Sequence, residues 1–273
     1  EPNLPDLSVP WNTVVAGVGG TGVLTISSLL AMAAHIEGKG CATLNQTGLA
    51  QKFGAVTSHV RIASDQEQIK AVRIPAGEAD LLVGCDLVVT AGYECLAKAA
   101  IGRTHALVNV AEQPTASFIH DPDAKFPVEG MQRKISREVG AETTFVNATQ
   151  VAKELLGDTI GANLFLMGCA WQKGWIPVSR QALIEAIEVN NVAVAFNKEA
   201  FELGRHYAHA PDSVYQRFQR SPMAQSKPPT MTLDQLIADR VVRLTAYQST
   251  AYAQQYREHI DSVRCRDPQA EAI

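Results

Sequence analysis

Apolar positions along this chain switch between two periods. Asn12–Gly17 is a short apolar run, a glycine-rich hexapeptide follows, and Val23–Ile36 then carries apolar residues at helical spacing. That order predicts a strand, a tight turn and a helix. Further strand candidates lie at Cys41–Asn45, Val56–Ile62, Ile69–Ile74, Leu87–Ala91, Ala106–Val110 and Thr144–Val146, with helical stretches at Tyr93–Ile101 and Gln132–Val139. Alternation of this kind predicts an α/β fold, a doubly wound, Rossmann-like and mostly parallel sheet. Val56–Ile62 and Ile69–Ile74 alternate apolar with polar residues around Ser64-Asp65-Gln66-Glu67, which predicts a small antiparallel insertion built from those two segments.

After Asn147 helical spacing dominates. Gln150–Leu156 stops at Gly157, an apolar helix is expected near Ala162–Trp171, and Ser179 is placed to cap Gln181–Val189. Ala210–Thr230, rich in Pro, Ser and Gln, reads as a linker, and Thr232 with Gln235 has the spacing of a capping box opening one long helix. The apolar stripe of that helix, from Leu233 through Ile237 and Leu244 to Ile260, has no sequence-adjacent partner, so a helical tail docking elsewhere is expected. The expected division is a linker over 1–10, a Rossmann-like domain over 11–208, a linker over 209–230 and the start of a helical region over 231–273. The opening Glu1-Pro2-Asn3-Leu4-Pro5, without Met, reads as a linker within a larger protein.

Composition narrows the function classes. The 273 residues are 46% hydrophobic and 19% charged with a formal charge of −4, which fits a globular protein and supplies no basic field for a nucleic-acid backbone. The longest uncharged apolar run, Thr159–Gln172, falls short of the roughly 20 residues that span a bilayer, and no signal-peptide pattern opens the chain. No membrane partner is expected. The five cysteines contain no C-x-x-C pair, so neither a disulfide framework nor a cluster motif is read, and a reducing, cytoplasmic setting is expected.

Candidate chemistry concentrates in two segments. The first is Gly17-Val18-Gly19-Gly20-Thr21-Gly22 between strand and helix, where missing side chains let backbone N–H groups approach a phosphate. A dinucleotide site also uses an acid roughly 20 residues on to hold the ribose. No Asp or Glu occurs between Gly38 and Ser64, so a phosphate-bearing ligand other than NAD is favoured, with a purely structural glycine turn as the alternative. The second is Gly48–Ile62, a loop running into a strand with Lys52, His59 and Arg61 and no acid nearby. These cations either face the same phosphate or are a solvated lysine and two strand residues paired within the protein. His35, Cys95, His206 and His209 read as packing or surface residues.

Several segments together resemble the gamma domain of the 2-oxoacid:ferredoxin oxidoreductases over roughly Trp11–Arg205. They are the glycine turn with Leu29–Ala34, Gly48–Ile62, Ala79–Asp86, Leu155–Asp158 with Asn163, and Asn197–Arg205. Gly48–Lys52, Trp171–Gly174 and the tyrosine-rich tail look like the fused bacterial indolepyruvate:ferredoxin type. The resemblance implies an enzyme that oxidatively decarboxylates an arylpyruvate to an acyl-CoA, working with other domains or subunits and with ferredoxin. It implies thiamine diphosphate and [4Fe-4S] clusters only in the other domains, so this segment alone would be inactive. It implies coenzyme A contacts at Gly17, Gly19, Gly20, Thr21, Gly22, Gln51, Lys52, Ser58, His59 and Arg61, and no metal. Phe53, Asn190-Asn191 and Phe196 depart from the smaller residues usual in the family.

Overall fold

Val14, Val15 and Ala16 are all buried, which requires a strand covered on both faces. They belong to β1 (Trp11–Val18), inside a six-stranded sheet of order β2-β3-β1-β4-β5-β6. The computed structural model describes residues 1–48, 54–112, 126–220 and 231–266, in two units, Glu1–Ser221 and Pro222–Ile273. β4 (Leu81–Gly84), β5 (His105–Asn109) and β6 (Thr143–Val146) extend the sheet in parallel from β1. β3 (Ala55–Ala63) runs antiparallel to both β1 and β2 (Gly40–Thr47). The mixed, mostly parallel sheet expected from the alternation is therefore present.

The antiparallel element is built differently from the expectation. β3 pairs with the strand before it rather than with Ile69–Ile74, which is not a strand. Asp65 caps a 3₁₀ turn at Gln66–Gln68, and the chain beyond is held by side chains of β3. Arg61 Nη1 donates to the Ala71 carbonyl at 2.8 Å, and the Ile74 N–H donates to His59 Nδ1 at 3.0 Å. Leu87–Ala91 is a second correction. The parallel strand is the preceding Leu81–Gly84, buried at every position, while Asp86 accepts the Val89 N–H and opens a short helix, α2 (Leu87–Thr90). Apolar residues alone did not distinguish a buried strand from a buried turn of helix; the Asx cap did. α3 (Tyr93–Leu96) is also shorter than its expected span.

The faces of the sheet carry different layers. Val15, Val83 and Leu107 pack with α1 (Val23–Ile36), α6 (Ala162–Gln172), α7 (Arg180–Asn190) and α8 (Val194–His209). Val14, Ala16, Leu82 and Val108 pack with α2, α3 and α4 (Val128–Val139). α6 and α8 touch backbone to backbone: a Cβ on Gly168 would lie 2.0 Å from the Phe201 oxygen, and one on Gly204 would lie 2.0 Å from the Phe165 oxygen. Two glycines thus set how deeply α8 seats. Asn191 ends α7 in the left-handed region at φ 52, which asparagine tolerates better than most residues. Phe196 packs over Gly161, where an added Cβ would sit 3.1 Å from its ring, so these two departures are accommodated; the third, Phe53, lies outside the described residues.

Two boundary readings change. α9 (Pro211–Arg220) occupies the first half of the stretch read as a linker, with Pro211 at the first helical position and Val214 buried in the core. In the second unit the tail is a pair of helices, α10 (Leu233–Tyr247) and α11 (Thr250–Arg266), rather than one long helix. The expected Thr232–Gln235 capping box opens α10. α11 folds back on α10, Ile237 and Ala253 are buried, and Arg264 pairs with Asp234. The apolar stripe therefore has the sequence-adjacent partner that one uninterrupted helix would lack.

Two predictions follow from the packing. Gly168→Ala forces α6 and α8 apart and is expected to lower stability by about 1–3 kcal/mol, read as a lower urea midpoint at unchanged slope. An unchanged midpoint would mean that the helices are not in backbone contact. His59 is 2% exposed, and burial, followed by the nearby charges of Lys98 and Arg73, lowers its pKa from 6.5 to about 4. The unfolded chain therefore takes up the proton first as pH falls, so stability is full above pH 6.5 and is lost toward pH 4. At about 1.4 kcal/mol per unit, the loss is on the order of 3–4 kcal/mol, and His59→Gln should flatten the urea midpoint against pH. Identical pH profiles for the two proteins would rule this out.

Candidate functional site

β1, β4 and β5 end at one edge of the sheet, where the chain leaves β1 through α1 to β2 on one side and later returns to β4 on the other. Such switch points open crevices in parallel sheets. A cavity of about 830 Å³ lies there, lined by the glycine turn, the first turn of α1, Asn109 at the end of β5 and the segment Asp158–Asn163.

The turn is built by close approach. Gly17 is the penultimate residue of β1, and a Cβ there would meet Thr21 Oγ1 at 2.4 Å and the Cys85 Cβ at 2.8 Å. Gly17 is thus a packing glycine beneath the turn. The Thr21 N–H and hydroxyl both donate to the Val18 carbonyl, at 3.1 and 2.8 Å, and the Gly19 N–H donates to the Gly54 carbonyl at 2.8 Å. Gly20 and Gly22 lie at φ 98 and 86, the left-handed region that favours glycine. α1 starts at Gly22 with no side-chain cap and no acid in its first turn, which turns its positive end and free N–H groups toward the cavity.

Asp86 holds the turn from below. Its carboxylate is fully buried and accepts the Val18 N–H on one oxygen and the Val89 N–H on the other. Burial raises its pKa above the ordinary carboxylate value, against the lowering effect of backbone N–H donors at Val89, Val18 and Val88. Asn109 braces the same edge. Its Nδ2 donates to the Cys85 carbonyl at 3.1 Å and to Thr149 Oγ1 at 2.8 Å, which ties β4 and β5 to the start of α5 (Ala148–Leu156). Asn147 caps α5 and Asp158 caps the 3₁₀ turn Thr159–Gly161, so several helix starts face the cavity. The Cys85 thiol lies against the cavity, but burial pushes its pKa up to about 12, which keeps it protonated and unreactive at neutral pH.

The sequence-derived site residues divide accordingly. Gly19, Gly20, Thr21 and Gly22 line the cavity, and Gly17 supports them. Gln51 and Lys52 lie outside the described residues. Ser58 is buried on the cavity side of β3, deeper than Val56, and donates to Asn45 Oδ1 at 2.6 Å. His59 and Arg61 are not brought to the cavity. Strand alternation turns them to the other face, where His59 holds Ile74 and Arg61 Nε donates to Asn12 Oδ1 at 2.9 Å. Asn12 in turn hydrogen-bonds Asp80, which pairs with Arg103 at 2.8 Å, so Arg61 joins a polar network at the opposite edge of the sheet. Asp86 and Asn109 were missed as site residues. Both end buried apolar runs, and that position at the carboxyl end of a strand was the readable signal.

Comparison with known proteins fits this architecture. The family model described as pyruvate ferredoxin/flavodoxin oxidoreductase matches residues 12–207, and a family of unknown function matches 233–273. Indolepyruvate oxidoreductase subunit IorB of Archaeoglobus fulgidus is 30% identical over 203 residues, covering 72% of this chain and 94% of the relative. The subunit of the same name from Thermococcus kodakarensis is 27% identical, covering 71% and 94%. Among solved structures, pyruvate oxidoreductase subunit PORC of Thermotoga maritima superimposes with a TM-score of 0.52 at 19% identity, covering 73% of this chain and 97% of that one. A keto/oxoacid ferredoxin oxidoreductase gamma subunit from Geobacter sulfurreducens gives 0.51 at 22% identity, covering 73% and 99%. The chain therefore belongs to the pyruvate ferredoxin/flavodoxin oxidoreductase family, as a gamma domain of the 2-oxoacid:ferredoxin oxidoreductases.

Proposed function

We propose that this chain is the gamma segment of an indolepyruvate, or more broadly arylpyruvate, ferredoxin oxidoreductase, and that its glycine-turn cavity helps hold coenzyme A. The substrate class rests on the archaeal relatives named for indolepyruvate. The observation that carries the ligand assignment is the uncapped start of α1 lining a cavity at the carboxyl ends of β1, β4 and β5. Support comes also from a 2-oxoglutarate:ferredoxin oxidoreductase of Magnetococcus marinus, described with coenzyme A bound. It superimposes with a TM-score of 0.50 at 17% identity, covering 74% of this chain and 32% of that one.

The residues present fit a coenzyme A phosphate better than a nicotinamide dinucleotide. β2 ends in Asn45, Gln46 and Thr47, where a ribose-binding acid would stand, and Asn45 already accepts from Ser58. Asp158, the carboxylate on the cavity wall, accepts the Ile160 N–H. The turn and the first turn of α1 bring backbone donors to a phosphate, and Gly20 leaves open space where a side chain would stand. Gln51 and Lys52 remain proposed contacts from the sequence. Coenzyme A, when bound, supplies the thiol that accepts the acyl group. Thiamine diphosphate and iron–sulfur chemistry, with ferredoxin reduction, are assigned to the other domains or subunits of the assembled enzyme.

The test separates the two cations in the assembled enzyme. Lys52→Ala is expected to weaken coenzyme A by about 10- to 150-fold, the loss of one charge-assisted phosphate contact, while 2-oxoacid decarboxylation stays intact. Arg61→Ala should leave coenzyme A affinity within about twofold, because its partners are Asn12 and Ala71, and should lower the urea midpoint. Titration calorimetry should detect coenzyme A and not NADPH. Unchanged coenzyme A use in Lys52→Ala, with no heat on titrating coenzyme A, would leave the domain a structural module.

A further inference from the structure

Asn163 stands apart from the other polar residues of the cavity. It is 7% exposed, it is the second residue of α6, and it lines the cavity beside the glycine turn. Its Oδ1 accepts the Leu164 N–H at 2.7 Å, which fixes that end of the amide as oxygen and leaves Nδ2 as the outward end. Among the described residues, no acceptor takes a hydrogen from Nδ2. Asn109, the other buried amide at this edge, spends its Nδ2 on Cys85 and Thr149. The side chain is more than nine-tenths buried, and its Nδ2 is the donor it leaves open to the cavity, available to an acceptor on whatever occupies that space.

The position of Nδ2 says where that acceptor sits. A Cβ on Gly22 would lie 2.2 Å from Asn163 Nδ2 and 2.8 Å from the Asn163 Cβ. Asn163 therefore fills the volume that any residue larger than glycine would need, directly over the residue that starts α1. That start is uncapped, so its backbone N–H groups and the Asn163 amide, from two helices, line the same part of the cavity. Gly22 has two roles: it adopts φ 86, and it leaves room for a side-chain donor from α6.

Resting on the reading of the cavity as a phosphate site, we infer that Asn163 Nδ2 and the first-turn N–H groups of α1 form one oxyanion subsite, which takes a phosphate oxygen of the ligand's pyrophosphate. The subsite uses neutral donors from two helices, so it reads the position of the anion as well as its charge. Asn163 is a binding residue, and Gly22 is its clearance.

Inorganic pyrophosphate and coenzyme A are the probes, titrated into the full ¹⁵N-labelled chain. Pyrophosphate is expected to move the Asn163 side-chain amide signals together with the backbone signals of Val23 and Leu24, and coenzyme A should displace it. Asn163→Ala should weaken pyrophosphate by about tenfold or more, and Asn163→Asp further, because a carboxylate repels the anion while keeping the shape. No movement at Asn163, or both variants binding like the parent, overturns the subsite. Coenzyme A binding that leaves the Asn163 signals in place sinks this inference and spares the coenzyme A assignment. Pyrophosphate moving Asn163 without displacement by coenzyme A upholds the subsite and removes coenzyme A as its ligand.

Discussion

The buried carboxylate of Asp86 is the constraint on which the site depends. It takes the Val18 N–H at the end of β1 and the Val89 N–H at the start of α2, so the strand that enters the glycine turn and the strand beside it are fixed by one side chain. A carboxylate so buried is held on the costly side of its titration, and the backbone donors offset that cost only while both strands keep their register. Gly17 makes the arrangement possible, since a side chain there would meet Thr21, Cys85 and Asp86 itself. The turn above is then free to present backbone rather than side chains. Its chemistry follows from that rigidity, because donors fixed before a ligand arrives need not be ordered when it binds.

Much of this was legible in the sequence, for identifiable reasons. The strand, glycine turn and helix at the start of the chain carry period, turn chemistry and helix spacing in agreement, and the structure follows them at β1, Gly19–Gly22 and α1. The expected caps at Ser179 and Thr232 are likewise present. Where the reading went astray, one apolar run served two structures. Leu87–Ala91 has the composition of a buried strand, but Asp86 converts it to a helical turn. Ile69–Ile74 alternates as a strand would, yet its hydrogen bonds are taken by His59 and Arg61 rather than by a neighbouring strand.

The same strand explains the divided fate of the candidate cations. Lys52, His59 and Arg61 share one stretch of sequence, and spacing alone treats them as one patch. A strand sends His59 and Arg61 to the face that carries Val14 and Ala16, away from the cavity, where one buries as a neutral acceptor and the other braces Asn12. Proximity in sequence could not reveal that; strand parity could, once the register of β3 on β1 was known. Asn163 is the reverse case. The sequence marks it only as one of the residues carrying the family resemblance, and its place over Gly22, distant in sequence, comes from the packing of α6 on α1.

The central claim is that the phosphate-bearing ligand of this domain is held by the turn between β1 and α1. A crystal structure of this chain with coenzyme A measures it most directly. The account predicts pyrophosphate oxygens within about 3.2 Å of the backbone N–H groups of Gly20, Gly22, Val23 or Leu24, on the α1 side of the sheet. Coenzyme A seated on the opposite face beside His59 and Arg61, with the glycine turn untouched, would contradict it.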